Sequence, residues 1–201
     1  MRDICHIPVH ESLITYIKNH STTPLTEDNI KAIKDVFVPK TLRKHHYLLQ
    51  EGEVCKHTAF IVNGSMRKYQ VDNKGVENII MLYLENSWVF DRESYITETP
   101  SIYNIDAWEN TELLLFTKTN QTTRLSSIAA LQEARRMMDN NFAIAAQKRM
   151  ASISLTAEER YDQLLKTYPE FLQRFPQHVI ASYLGIAKET LSRIRRHAAK
   201  K

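Results

Sequence analysis

The sequence predicts an α+β protein: a compact antiparallel barrel with flanking helices, one long helix, and a C-terminal helix-turn-helix. Residues 36–117 contain short apolar runs separated by turns, which is typical of strands. Residues 126–154 contain neither proline nor glycine and are rich in helix-forming residues. Residues 177–196 contain two apolar stripes at helical spacing on either side of a glycine. These three patterns together indicate the predicted fold class.

The C-terminal glycine separates two short amphipathic segments. Ile180 and Leu184 lie one helical turn apart in the first segment, and Leu191 and Ile194 repeat this spacing in the second. Gly185 tolerates the left-handed backbone that a sharp turn between helices requires. This is the pattern of a helix-turn-helix, whose second helix enters the major groove of DNA.

The polar face of the second segment is suited to DNA. Glu189 and Arg193 are four residues apart and share one face. Arginine can hold a guanine edge with two hydrogen bonds, and a carboxylate can accept from the cytosine amino group. A solvated ion pair explains those two residues equally well, but the complete stretch favours the helix-turn-helix. The predicted DNA contacts are Gln177, Lys188, Glu189, Thr190, Ser192, Arg193, Arg195 and Arg196.

Positive charge is concentrated at the same end of the chain. Residues 182–201 contain six lysine or arginine residues and one acid, a formal charge of +5. Because the whole chain carries +4, the remaining residues carry −1. A basic surface of this kind meets DNA phosphates favourably.

Composition excludes several other classes of protein. No apolar run approaches the roughly 18 residues that a membrane helix needs. The N-terminal residues lack the apolar core of a signal peptide. The two cysteines are too few for a disulfide framework or a cysteine-rich metal cluster. We therefore expect a cytoplasmic protein with no membrane segment and no bound cofactor.

The N-terminal part is predicted to form two helices and then strands. Apolar spacing predicts helices over residues 9–20 and 26–36, the second with Thr26 as N-cap. Glycine is used mainly at turns between the strands, and Asn63-Gly64 predicts a hairpin. The predicted strands include residues 47–49, 59–62, 66–71, 79–84 and 113–116.

The long predicted helix has an apolar stripe that needs cover. Packing against its own barrel is one solution, and a parallel partner helix in a dimer is the other, which we favour. The predicted dimer residues are Leu131, Met138, Phe142 and Ala145. A new helix then begins at Thr156, which forms a capping box with Glu159.

In this order of elements and in several motifs, the chain resembles the family of the catabolite activator protein and the fumarate–nitrate regulator over nearly its full length. The matching motifs are Gly52-Glu53, residues 60–67, residues 155–160 and residues 187–193. The resemblance implies a transcription regulator rather than an enzyme. It also implies that Lys188, Glu189 and Arg193 contact bases.

The resemblance also implies domains and partners. Residues 1–118 would form a cyclic-nucleotide-binding-like β-roll, residues 119–154 the dimerisation helix, and residues 155–201 a DNA-binding domain that lacks most of its wing. The implied partners are double-stranded DNA with a palindromic operator, a second copy of the chain, RNA polymerase, and an unidentified small effector.

The predicted effector pocket departs from the family pattern. Relatives that bind cyclic nucleotides use a Gly-Glu pair and, about ten residues later, an Arg-Ser pair. The aligned residues here are Phe90-Asp91 and Ser101-Ile102, so the arginine that neutralises the phosphate is absent. We therefore expect no control by cyclic AMP. The residues predicted to line this pocket are Phe90, Asp91, Arg92, Ser101, Ile102 and Tyr103.

Two alternatives remain from the sequence. One is a cupin-type metalloprotein with His45, His46 and His57 as ligands, since three imidazoles suit a transition metal. However, the His-x-His pair of cupins is missing, and adjacent histidines on a strand face opposite sides. The other alternative is a small-ligand sensor whose DNA-binding part is vestigial.

Overall fold

The computed structural model describes residues 9–151 and 154–198, without the side chains of residues 121–123, 141–151 and 198. The chain divides into two compact units. The first comprises Met1–Met66 and Tyr83–Phe142, and the second comprises Arg67–Leu82 and Ala143–Lys201. The second unit thus includes residues 67–82 as well as the C-terminal helices, and the domain bounds predicted from the sequence stay a prediction.

Two helices, α1 (Val9–Asn19) and α2 (Glu27–Val36), precede the strands. The Thr26 hydroxyl accepts from the backbone N–H of Asn29, whose side chain in turn accepts from the backbone N–H of Thr26. The predicted N-cap is thus confirmed, and the reciprocal pair satisfies two donors that a helix start leaves open. Both helices bury apolar side chains, including Leu13, Ile17, Ile33 and Val36.

The strands form two four-stranded sheets. They are β1 (Val38–Leu42), β2 (Tyr47–Leu49), β3 (His57–Asn63), β4 (Met66–Val71), β5 (Glu77–Tyr83), β6 (Trp88–Val89), β7 (Asn104–Ala107) and β8 (Thr111–Thr117). The strand orders are β1-β8-β3-β6 and β2-β7-β4-β5. Strands β1 and β3 both pair antiparallel with β8. The predicted α+β class with antiparallel strands is confirmed; β1, β6 and β7 were not predicted as strands.

The hairpin predicted at Asn63-Gly64 is wrong. Strands β3 and β4, which flank this turn, lie in different sheets. Gly64 has φ 108°, and a Cβ there would lie 2.8 Å from the Cα of Thr111 and 2.9 Å from the carbonyl oxygen of Asn110. The glycine therefore forms a corner at which the chain leaves one sheet for the other, because only a residue without Cβ can approach this backbone so closely.

An aromatic cluster joins the first sheet to the helices. The rings of Phe37 and Phe116 are 4.8 Å apart, and those of Phe60 and Trp88 are 5.0 Å apart. Trp88 also lies 6.0 Å from Phe116 in an edge-to-face arrangement. Such pairs contribute about 0.5–1.5 kcal/mol each beyond their buried area. The surrounding apolar core includes residues from α1, α2 and the helix that follows the strands.

The long helix predicted over residues 126–154 is confirmed, and a separate short helix precedes it. Residues Lys118–Thr123 form α4, and Ala129–Ala151 form α5, a helix of 23 residues. Leu131 is 7% exposed and belongs to the core of its own unit, so the stripe predicted to be uncovered is partly covered. Met138 packs against the same core. The side chains of Phe142 and Ala145 lie outside the described residues.

A carboxylate ties α5 to the loop between α1 and α2. Glu133 Oε1 accepts from the Thr23 hydroxyl at 2.5 Å, and its Oε2 accepts from the Ser21 hydroxyl and the Thr22 backbone N–H, both at 2.8 Å. These hydrogen bonds, that from Thr23 first, lower the pKa of Glu133 to about 2. Hydrogen bonds to an ionised carboxylate favour its charged form, so this contact is present at neutral pH.

The C-terminal helices are α6 (Ala157–Thr167), α7 (Phe171–Arg174), α8 (Gln177–Leu184) and α9 (Lys188–Ala198). The predicted capping box at α6 is confirmed: Thr156 accepts from the Glu159 backbone N–H, and Glu159 accepts from the Thr156 backbone N–H at 2.8 Å. Helices α6, α8 and α9 contact one another. Their buried residues include Tyr161, Leu164, Ile180, Leu184, Leu191 and Ile194.

The corner at Gly64 provides a first test. Gly64→Ala should lower the free energy of unfolding by about 3 kcal/mol, since strain at positive φ adds to a clash with backbone atoms. Gly75→Ala is the matched control: its φ is 78°, and nothing lies within 4 Å of an added Cβ. That variant should lose only about 1 kcal/mol. Urea unfolding measures both, and equal losses would contradict the corner.

Candidate functional site

A tight turn joins α8 to α9. Gly185 has φ 66° and ψ 38°, the left-handed conformation. The backbone N–H of Ile186 donates to the Ala181 carbonyl, and that of Gly185 donates to the Ser182 carbonyl, both at 3.0 Å. These two bonds satisfy carbonyls at the end of α8 in the pattern of a Schellman motif. Helix α9 then begins at Lys188, so three residues separate the two helices.

Helix α9 buries one face and exposes the other. Leu191 is fully buried and Ile194 is 5% exposed, which holds the helix against the rest of the C-terminal core. Lys188, Glu189 and Arg193 are exposed. Of the other predicted DNA contacts, Gln177, Arg195 and Arg196 are exposed, and Thr190 and Ser192 are half-buried. The structure thus presents the charged residues of this set on an accessible surface.

Charges along α9 also suit the helix itself. Glu189 lies in the first turn, and Arg195, Arg196 and His197 lie in the last turn. Acids near a helix N-terminus and cations near its C-terminus interact favourably with the helix dipole. This interaction stabilises α9 without a ligand, so the charges at its two ends have a structural role as well. Arg193 lies in the middle of the exposed face, so its charge is not accounted for by an interaction with the helix dipole.

Helix α8 is fixed by a serine within the second unit. The backbone N–H of Ile79 donates to Ser182 Oγ, and Ser182 Oγ donates to the carbonyl of Glu77, each at 3.0 Å. Strand β5, to which Ile79 and Glu77 belong, lies at the end of its sheet. The hydroxyl therefore satisfies backbone groups of an edge strand, which would otherwise be open to pairing.

The residues predicted to form an effector pocket differ in their surroundings. Phe90 and Arg92 line a cavity described below, whereas Asp91 and Ser101 are buried, 3% exposed each. Ser101 Oγ accepts from the backbone N–H of Tyr103 at 3.0 Å and lies 3.2 Å from the Tyr103 carbonyl, to which it donates. Ile102 is 52% exposed. The Ser101 hydroxyl therefore stabilises a local turn with Tyr103.

A cavity of about 180 Å³ lies in the first unit, between the first sheet and helices α3 (Arg92–Thr97), α4 and α5. We call it the aromatic cavity. Its lining is Phe37, Thr58, Trp88, Phe90, Arg92, Tyr95, Ile96, Phe116, Lys118, Leu125, Leu131, Gln132, Arg135, Met138 and Asp139. Most of these residues are apolar, and five of them have aromatic rings. They come from segments between residue 37 and residue 139 of the chain.

The charged residues of the aromatic cavity are accessible to solvent. Arg92 donates to Asp139, and Lys118 donates to Glu98 at 2.9 Å. Burial raises the pKa of the Tyr95 phenol, while a hydrogen bond with Thr58 and the charge of Arg135 act in the opposite direction. Arg135 is itself among the residues that line the cavity.

The histidines of the metalloprotein alternative are not brought together. His45, His46 and His57 are exposed, and no group of three His, Cys, Asp or Glu side chains in the described part of the chain is placed to hold a metal ion. Burial and the charges of Lys40 and Lys56 lower the pKa of His57. No helix among the described residues is both long and apolar enough to cross a membrane.

The family model of the cyclic nucleotide-binding domain matches residues 39–125, which contain β2 to β8 and all of β1 except its first residue. No curated protein matches the chain significantly. Solved structures match nearly the whole chain. FixK2 from Bradyrhizobium japonicum is 20% identical with a TM-score of 0.69, over 82% of this chain and 85% of that protein.

Two further structures have the same fold. The catabolite activator protein of Thermus thermophilus is 16% identical with a TM-score of 0.54, covering 88% of this chain and 84% of that protein. The c-di-GMP-responsive global regulator CLP of Xanthomonas campestris is 14% identical with a TM-score of 0.66, covering 87% of this chain and 92% of that protein. At these identities the similarity establishes the fold: a cyclic nucleotide-binding domain in a chain that folds like these regulators.

Sequence reasoning did not find the aromatic cavity. It selected Phe90 and Arg92 by alignment, but not Trp88, Lys118 or Arg135, which also line it. These three residues come from β6, α4 and α5, and no motif or spacing relates them. The only sequence feature that could have indicated the cavity was the presence of aromatic residues in short apolar runs, and core packing explains that feature equally well.

Proposed function

We propose that the protein is a sequence-specific DNA-binding transcription regulator of the catabolite activator type. The observation that supports this most directly is helix α9, whose apolar residues are buried while Lys188, Glu189 and Arg193 are exposed. The fold of the whole chain resembles solved regulators. Helices α8 and α9, joined by the left-handed glycine, then act as a helix-turn-helix with α9 in the major groove.

The exposed face of α9 has the chemistry for base readout. The Arg193 guanidinium can donate two hydrogen bonds to guanine, and the Glu189 carboxylate can accept from a cytosine amino group. The residues are four apart, so both reach the same stretch of groove. Arg196 lies beyond them near the C-terminal end of α9, where a cation meets backbone phosphates without reading sequence.

Arg193 and Arg196 form a matched pair of variants. Arg193→Ala should cost about 1–3 kcal/mol at the cognate site and relax specificity there, because a two-pronged base contact is lost. Arg196→Ala should weaken binding to all DNA similarly and reduce the salt slope by about 1. Competition binding against random DNA distinguishes the two results. If Arg193→Ala leaves specificity unchanged, the assigned face of α9 is wrong.

We also propose that the protein binds DNA as a dimer assembled through α5. Regulators with a helix-turn-helix bind two half-sites about one helical turn apart. Leu131 and the adjoining Ala134 are covered by their own unit, so another face of α5 must form the seam. Met137 supports this, since it is 47% exposed on that helix. RNA polymerase would be a further partner of such a regulator.

Met137→Glu should therefore convert the dimer to a monomer and abolish operator binding together, because a buried carboxylate would lack a partner in the seam. Val76→Glu, which replaces an apolar residue that is 53% exposed on the turn between β4 and β5, is the control and should remain dimeric. Light scattering gives the mass, and gel shift gives DNA binding. A wild-type monomer that binds DNA as a single copy would refute the dimer.

Finally, we propose that cyclic AMP does not control the protein. A cyclic phosphate brings a fixed negative charge, whose desolvation costs several kcal/mol unless a cation and donors meet it. At the aligned position stands Ser101, whose hydroxyl is uncharged and bonds to Tyr103. Phe90, where relatives have glycine, would hinder close approach of a phosphate to the backbone. The buried carboxyl of Asp91 would add repulsion if ionised.

Calorimetric titration of the purified protein with cyclic AMP and cyclic GMP should therefore show no binding in the micromolar range at near-physiological salt. Binding of either nucleotide at micromolar or lower concentration would contradict this proposal. Arg92, which lies next to Asp91 in the chain, would then be the first cation to replace in search of the phosphate partner.

A further inference from the structure

The loop between α1 and α2 places several hydrogen-bond donors around one carboxylate. Glu133 Oε2 accepts from the Ser21 hydroxyl and the Thr22 backbone N–H, both at 2.8 Å, and from the Thr22 hydroxyl at 3.2 Å. Its Oε1 accepts from the Thr23 hydroxyl at 2.5 Å. Three hydroxyls and a backbone N–H therefore converge on a group that lies 110 to 112 residues further along the chain. We call residues 21–23 the hydroxyl loop.

The hydroxyl loop also has hydrogen bonds of its own. The Thr23 backbone N–H donates to Ser21 Oγ at 3.0 Å and, more weakly, to Glu133 Oε2 at 3.3 Å. A serine hydroxyl that bonds to the backbone two residues on stabilises a local turn. The loop thus holds its donors in place through contacts that do not involve α5.

These donors favour an anion although none of them is charged. Residues 21–23 contain no acidic or basic side chain. Hydrogen bonds to an ionised carboxylate are roughly twice as strong as those between neutral groups. A neutral amide in the same place would turn one of its own N–H groups toward the donors. The contact therefore differs from an exposed ion pair, whose two charges are screened by salt.

Glu133 also fixes the rotation of α5 about its axis. Ala130, Leu131 and Ala134 bury one side of this helix in the core of the first unit. Glu133 attaches a neighbouring side of the helix to the hydroxyl loop. Met137 lies one turn beyond Glu133 on that side and is exposed. The direction in which Met137 faces thus follows from two attachments of α5, one apolar and one polar.

From these contacts, we propose that the hydroxyl loop is a binding site for a small oxyanion, and that the chain fills it with its own Glu133 carboxylate as a latch on α5. A ligand on the same chain has an effective concentration of about millimolar or more. Free anions therefore do not displace Glu133, and the site opens when Glu133 is removed. The proposal depends neither on DNA binding nor on dimer assembly.

Glu133→Ala empties the site so that it can be filled from solution. Acetate supplies the carbon and the carboxylate that alanine lacks. We expect full-length Glu133→Ala protein to have a lower melting temperature than wild type, and acetate to raise it again. Acetamide, which has the same shape without charge, and sodium chloride at equal ionic strength should not do so. Wild type, whose site is occupied, should respond to acetate no more than to chloride.

The Thr22 amide reports directly on the site, because its N–H donates to the carboxylate. In protein with isotope-labelled threonine, its nuclear magnetic resonance signal is identified by its loss in Thr22→Ser. In Glu133→Ala protein, acetate should move this signal toward its wild-type position and reach saturation. Half of the change is expected at roughly 10 mM acetate, since so small a ligand has low affinity.

Two further variants locate the site. Thr23→Val removes the hydroxyl closest to the carboxylate, and in the Glu133→Ala background it should weaken acetate binding roughly tenfold. Asp139→Ala is the matched control, because it removes another carboxylate of α5, one that accepts from Arg92. Acetate should raise the melting temperature of Asp139→Ala no more than chloride does.

Each part of the proposal has a result that would overturn it. An unchanged melting temperature of Glu133→Ala shows that Glu133 is not a latch. A Thr22 signal that acetate does not move, or that acetamide moves equally, shows that the loop does not select an oxyanion. An undiminished response with Thr23→Val places the anion elsewhere.

Glu133→Gln keeps the shape of the side chain and serves if Glu133→Ala does not fold. The Thr22 amide should then exchange with solvent roughly tenfold faster than in wild type, because the amide of glutamine is a poorer acceptor than the carboxylate. Unchanged exchange would contradict the latch.

Discussion

The packing of Phe37, Phe60, Trp88 and Phe116 between the first sheet and the helices is the contact on which the first unit depends. Phe37 lies between α2 and β1, and the other three rings come from different strands of that sheet. By filling the same space they fix where α1, α2 and α5 meet the sheet. The aromatic cavity lies beside this cluster and shares three of its rings, so the same packing that stabilises the unit also shapes this cavity.

The C-terminal helices depend on a different constraint, the backbone of Gly185. A left-handed residue at this position lets α8 end in two hydrogen bonds and lets α9 begin three residues later. Leu191 and Ile194 then enter the core, and the direction of the polar face follows from helical periodicity. Since six of the chain's basic residues lie in its last twenty positions, positive charge is concentrated in this small element.

Features with a local cause were predictable. The N-cap at Thr26, the capping box at Thr156 and the left-handed turn at Gly185 each involve residues within a few positions of one another, and the structure contains all three. Predictions that depended on distant partners were less successful. Asn63-Gly64 has the local pattern of a hairpin, but Gly64 packs closely against the backbone of Thr111, and β4 continues in the other sheet. Leu131 has the spacing of a dimer seam but packs in its own core.

The sequence by itself determined the class of fold, the helix starts, the left-handed turn at Gly185 and the residues on the exposed face of α9, because periodicity and short-range hydrogen bonds act over one or two turns of chain. Only the tertiary structure decided which strands share a sheet, and that Trp88, Lys118 and Arg135 line one cavity. Those outcomes depend on how side chains from different segments pack together in the interior, and a local sequence pattern does not predict that packing.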